Sequence, residues 1–222
     1  MSLGKDGFLC FVFHVVTSDH FHRSCPQKTL SNSSQIQGVS ISEREVIESL
    51  ESKSNKFIDA AKQLKEQYIP PTGRRITNTH LIDRLSEVEI DILPTTNFSK
   101  MSNFISKEQT EFLNETWIDL SVVSDCLELV RKEEEALSFG ELSHYTNMTT
   151  NALCAMRFDL HTALHSLEIG MGNHASYNAN SSRVCRSFVN RQDRYFRDFV
   201  IVNQSLKYME RLRNYLAQMA ED

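Results

Sequence analysis

Apolar residues recur along most of this chain at alternating steps of three and four, the period of a helix with one buried face. The first such stripe is Ile47, Leu50, Ser54, Phe57, Ala61, Leu64 and Tyr68. Ser42 and Glu45 before it form an S-x-x-E capping box, and Ile41 can staple onto Val46. Pro70-Pro71 cannot continue the helix and ends it. Leu81, Leu85, Val88 and Ile92 predict a shorter second helix that runs up to Pro94. A second capping box at Ser106 and Gln109 opens a third helix, striped by Leu113, Trp117, Leu120, Val123, Leu127, Val130 and Leu137 and stopped at Gly140. Leu153, Met156, Leu160, Leu164 and Leu167 stripe a fourth helix between about Glu141 and Ile169. After a polar loop, Phe188, Tyr195, Phe199, Val202, Leu206, Met209, Leu212 and Leu216 stripe a long fifth.

Helices this long, each with one narrow apolar face, bury it by lying side by side. The expected fold is therefore all-α, an elongated antiparallel bundle of about five helices spanning residues 41–222. The three–four alternation favours shallow crossing angles. Residues 1–40 lack this periodicity and are expected to form a poorly ordered leader. No βαβ pattern, glycine-rich phosphate loop or nucleophile elbow occurs.

Composition narrows the function classes. The chain has 222 residues, 40% hydrophobic and 24% charged, long enough for a substantial core. A formal net charge of −5 argues against a nucleic-acid binder. The five cysteines are scattered, with no C-x-x-C, and are expected to be reduced thiols of a cytosolic protein. Two features oppose this. Asn32, Asn97, Asn114, Asn147, Asn180 and Asn203 each begin an N-x-S/T sequon, and an apolar run from Phe8 to Val16 has the character of a signal-peptide core. That run is short, Asp6 precedes it and no A-x-A site follows, so secretion is the minority expectation and a cytoplasmic location, with peripheral membrane association as a variant, the main one.

Candidate chemistry is sparse. His161, His165 and Glu168 share one helix face and form the nearest approach to a metal site. The helical zinc-hydrolase motif needs a glutamate beside the first histidine, where this chain has Thr162. A di-iron bundle needs paired Glu-x-x-His motifs, which are absent. Packing at the core boundary is thus expected over metal binding, with no cofactor and no catalytic set. Arg183, Arg186, Arg191, Arg194 and Arg197 fall on one side of the fifth helix, flanking Phe188, Tyr195 and Phe199. Such a face can bind phosphates or a protein partner. It can equally be a solvated surface paired with Asp193, Asp198 or the run Glu133-Glu134-Glu135. On either reading, charge reversal at Arg191 and Arg194 is expected to leave stability nearly unchanged.

Residues 141–167, ELSHYTNMTTNALCAMRFDLHTALHSL, resemble a segment of the exocyst complex component 4 family, with Phe158-Asp159-Leu160-His161 and Leu164-His165-Ser166-Leu167 carrying the pattern. Tyr68-Ile69-Pro70-Pro71 stands where that family has an Ile-Pro-Pro turn, and Met156-Arg157 departs from it. The resemblance implies a non-enzymatic vesicle-tethering subunit that binds sister subunits through long helices. The functional expectation is a helical scaffold or tether acting through protein partners. The alternatives are a membrane-binding helical dimer using the arginine face on anionic lipid, and a secreted helical glycoprotein.

Overall fold

A computed structural model describes residues 43–72, 75–90, 93–94, 109–136, 140, 142–166 and 190–221. The expected leader, Ile41, both serines of the capping boxes, and Ile92, Leu137, Leu167 and Phe188 of the stripes lie outside these residues.

Five helices form: α1 (Glu43–Glu66), α2 (Thr79–Glu87), α3 (Gln109–Ala136), α4 (Ser143–Ser166) and α5 (Arg191–Glu221). The described residues contain no strand, and the all-α bundle expected from periodicity is what they build. Local signals mark the ends of α1 and α3. Beyond α1 the chain turns through Pro70-Pro71, where the peptide bond is cis. Gly140, at φ +52°, adopts the left-handed backbone between α3 and α4 that suits glycine, and its carbonyl accepts from the Ser143 amide at 2.9 Å.

The second helix ends at Glu87, short of the predicted Pro94, because α5 competes for the backbone that follows. Gln204 accepts from the Ile90 amide at 2.7 Å and donates to the Ile90 carbonyl at 3.2 Å. Asn203 donates to the Ser86 carbonyl at 3.2 Å. These side chains satisfy peptide groups that would otherwise need a helical partner. They also explain why two polar residues sit inside the apolar region of α5.

The helices pack in a ring. α1 lies against α4 and α5, and α3 lies against α4 and, over a smaller area, α5. Cross-contacts give the directions. Ser49 meets Asp159 and Lys53 meets Ala155, so α1 and α4 are antiparallel. Lys62 meets Glu210 and Tyr68 meets Tyr195, so α1 and α5 are antiparallel. Phe112 meets Tyr215 while Arg197 meets Glu133, so α3 and α5 are antiparallel too. Arg157 meets Ser124 and His161 meets Trp117, which sets α4 against α3. Consequently α1 and α3 point one way and α4 and α5 the other, an up-up-down-down bundle. Two long crossovers, residues 67–108 and 167–190, join the parallel pairs, and the short turn at Gly140 joins the antiparallel pair α3 and α4.

The core fills this ring with Leu50, Phe57 and Leu64 of α1, Leu120 and Leu127 of α3, Leu153, Met156 and Leu160 of α4, and Phe199, Met209 and Leu216 of α5. The stripe of α5 is therefore spent inside the bundle.

The cysteine expectation is corrected here. Cys126 and Cys154 are disulfide-bonded, not reduced. The register that puts Arg157 opposite Ser124 brings Cys154 level with Cys126, so the bridge staples α3 to α4. Cysteine spacing alone does not reveal the bond, because its partners meet through helix register.

The bridge closes a loop of intermediate length, for which unfolded-state entropy predicts about 3 kcal/mol of stabilisation. Urea denaturation with and without reductant should show a loss of about that size, matched by Cys126→Ser with Cys154→Ser. An unchanged midpoint in both would contradict the staple.

Candidate functional site

Two polar constellations stand out on this frame, one inside the bundle and one on its surface. The inner one sits where α1 and α3 finish and α5 begins. Arg197 donates to Glu133 at 2.5 Å and to Asp198 at 2.9 Å through Nε. Arg194 pairs with Glu134 at 3.4 Å. The ring of Tyr195 is covered by three guanidinium groups, Arg194 at 5.0 Å, Arg191 at 5.5 Å and Arg75 at 5.6 Å from its centroid. Arg191 also donates to the Tyr195 hydroxyl at 2.7 Å.

This placement corrects the arginine-face expectation. Arg194, Arg197, Tyr195 and Phe199 are buried, while Arg191 is exposed. Arg183, Arg186 and Phe188 lie outside the described residues. Glu133, Glu134 and Asp198 were the right acidic partners, but they meet the arginines inside the bundle and not on a solvated face. Helical arithmetic could not show that α3 ends against Arg194 and Arg197. A buried pair of this kind costs much more to break than a surface one.

Asp198 is wholly enclosed at 0% exposure. Burial raises its carboxyl to about 7, with Arg197 pulling the other way. Burial also raises Glu134, opposed by Arg194 and Arg75. The Tyr68 hydroxyl, pushed up by burial and then by Asp198 and Glu134, completes the enclosure from α1. These charges hold α5 to α3. Nothing in the cluster offers a nucleophile with a base beside it, so the geometry reads as a structural lock.

The outer constellation lies on α4. Asn151, Ala155, Phe158 and Thr162 share its outward side, and Phe158 stands 58% exposed at the centre. Both flanks of that side are fixed. Towards α1, Lys53 pairs with Asp159 and donates to the Ala155 carbonyl at 3.3 Å, and the Ser49 hydroxyl donates to Asp159 at 2.6 Å. Towards α3, Arg157 lies over the Trp117 ring at 5.0 Å and donates to Ser124 at 2.9 Å and Ser121 at 3.3 Å. His161 packs on the same indole with ring centroids 5.5 Å apart. The result is an exposed phenyl ring on a rigid aromatic and charged platform, the residue types enriched where proteins bind one another.

No family model, curated protein or solved structure matches this chain.

His161 is engaged with Trp117, only the backbone of His165 is described, and Glu168 lies outside the described residues. No group of three or more metal-ligating side chains occurs among the described residues. Of the sequons, Asn203 is 2% exposed and bonded to Ser86, which makes it a structural residue in the folded chain. Asn114 and Asn147 are half-buried on helices, and Asn32, Asn97 and Asn180 lie outside the described residues. Among those residues no helix is long and apolar enough to cross a membrane.

Two outcomes follow for the inner cluster. Arg197→Ala strands Glu133 and Asp198 and should cost about 3–5 kcal/mol in urea denaturation; a loss under about 1 kcal/mol would place the cluster in solvent. The raised carboxyl sets a pH dependence. Folded Asp198 holds its proton up to about 7, whereas an unfolded aspartate releases it near 3.8. Its contribution to stability is full below 3.8 and is lost as pH rises through 7. Denaturation midpoints between pH 5 and 8 should therefore show a downward component with rising pH that Asp198→Asn removes. Parallel profiles for the two proteins would contradict the assignment.

Proposed function

We propose that this chain is a secreted helical ligand that signals by binding a cell-surface protein through the outer face of α4. The observation that carries this reading is connectivity. An up-up-down-down bundle with two long crossovers is the arrangement of the growth-hormone and cytokine bundles. Their work is done by helix faces and not by a catalytic pocket, which fits a chain whose described residues present a built aromatic platform and no nucleophile–base pair.

The disulfide supports the compartment. Bridges of this kind persist in oxidising surroundings and are rare in the cytosol. The Phe8–Val16 run and the sequons, minority evidence by themselves, point in the same direction. A tethering subunit of the kind implied by the exocyst resemblance needs long apolar faces left over for sister chains. Here the stripes of α1, α3, α4 and α5 are filled, over the described residues, by the chain's own helices. Phe158 is the large hydrophobic side chain most clearly left facing outward.

Purified oxidised protein should bind cells of its source organism saturably, and Phe158→Asp should weaken that binding by about tenfold or more, equivalent to at least about 1.4 kcal/mol. The same substitution should move folding stability by no more than about 0.5 kcal/mol, since the ring is not part of the core. Binding equal to wild type, or absence of any saturable site, would overturn the reading.

A further inference from the structure

A cleft of about 400 Å³ opens between the last two turns of α1 and the middle of α5. Lys62, Lys65, Glu66 and Ile69 line one wall, and Asn203, Leu206, Lys207 and Glu210 the other. Because the helices are antiparallel, these side chains form rungs. Lys62 faces Glu210 and pairs with it at 3.1 Å. One turn further along, at i+3 on α1 and i−3 on α5, Lys65 faces Lys207.

An ordinary packed surface would place opposite charges on that second rung, as it does on the first. Two ammonium groups facing each other are mutually repulsive. Lys207 relieves part of its need by donating to the Ser86 carbonyl at 2.7 Å. Lys65 is half-buried and its ammonium lies over the Phe199 ring at 5.8 Å, a contact with no formal negative charge. Burial lowers its pKa first and Lys207 lowers it further, outweighing the pull of Glu210. A lysine in the last turn of a helix complements the carbonyl end of the dipole. That accounts for one lysine and leaves the facing pair unexplained. Glu66, Lys62 and Lys207 are exposed at the rim, and Glu210 is taken up by Lys62, so the lining holds three lysines against two glutamates, with Lys65 facing Lys207.

We infer that the Lys65–Lys207 rung is a binding site for an oxyanion, namely a sulfate group of an acidic extracellular glycan, with Lys62 as the outer contact. A sulfate ester seated between the two ammonium groups turns their repulsion into a bridge, and its remaining terminal oxygen has Lys62 within the same cleft. The cleft is open along the groove between the helices, so a linear chain can lie across it with one sulfate inserted. The choice of a glycan over a lipid phosphate rests on the extracellular reading above. The site lies on the α1–α5 side, away from Phe158, so the two surfaces can be occupied together and tested separately.

The full oxidised chain should be titrated calorimetrically with a heparin-derived oligosaccharide, with its desulfated counterpart, and with vesicles containing phosphatidylinositol phosphates. Sulfated oligosaccharide should bind and desulfated should not. Lys65→Gln and Lys207→Gln should each weaken binding about tenfold, while Lys56→Gln, on an exposed part of α1 outside the cleft, should leave it unchanged. Thermal melts of each variant verify that the fold persists, and the pair of substitutions on different helices keeps the test decisive if one of them unfolds. Equal binding by Lys65→Gln, Lys207→Gln and wild type would overturn the site. Vesicle binding with the same lysine dependence and no response to sulfated glycan would overturn the glycan as ligand. Either failure leaves the cell-binding result for Phe158→Asp untouched, and failure of that result leaves the lysine titration readable.

Discussion

The architecture depends on α1 having two helices to bury against at once. Its inward residues Leu50, Phe57, Ala61 and Leu64, with Tyr68 just beyond its end, are almost wholly enclosed. They are enclosed because α4 and α5 approach from different sides and both run antiparallel to α1. A stripe with one partner would leave its edges wet. With two, Val46 and Ile58 beside the stripe are buried as well, which widens the apolar contact. Once α4 and α5 are fixed on α1, α3 fits only across the remaining side, where it must run parallel to α1. The two long crossovers are what that arrangement requires of the chain.

Directional interactions then select this packing among the alternatives that burial alone would allow. The Arg194–Arg197–Asp198 group locks the start of α5 to Glu133 and Glu134 at the end of α3. The Cys126–Cys154 bridge locks α3 to α4, and Gln204 with Asn203 holds the first crossover onto α5. Buried charges are poor sources of net stability, yet they discriminate strongly against registers that leave them unpaired. Arg194, Arg197, Asp198, Asn203 and Gln204 are thereby accounted for as register devices, whereas the exposed Phe158 and the facing Lys65 and Lys207 are not.

Helix existence and the core faces were legible because periodicity, Pro70-Pro71 and Gly140 are local signals. Partnership between helices was not, because a stripe does not say what it will face. The arginines illustrate this: the approach of Glu133 and Glu134 to Arg197 and Arg194 is a matter of topology. A usable signal existed for the disulfide. Cys126 and Cys154 lie equally far before and after Gly140. Residues equidistant from the turn of an antiparallel hairpin fall level, so the bond followed from taking that glycine as the hairpin centre. Phe158 was read only as part of a family resemblance, since one apolar residue off a stripe carries no periodic signal. The lysine rung was equally hidden, because it needs the register of α1 against α5.

The proposed ligand role places this up-up-down-down bundle, stapled between α3 and α4, outside the reducing cytosol. The most direct measurement is the redox state of these two cysteines in protein taken from its native source. Thiols would be blocked at once under denaturing, non-reducing conditions and the digest analysed by mass spectrometry. A cross-linked peptide joining Cys126 to Cys154 is expected, with neither residue alkylated. Quantitative alkylation of both cysteines would contradict it.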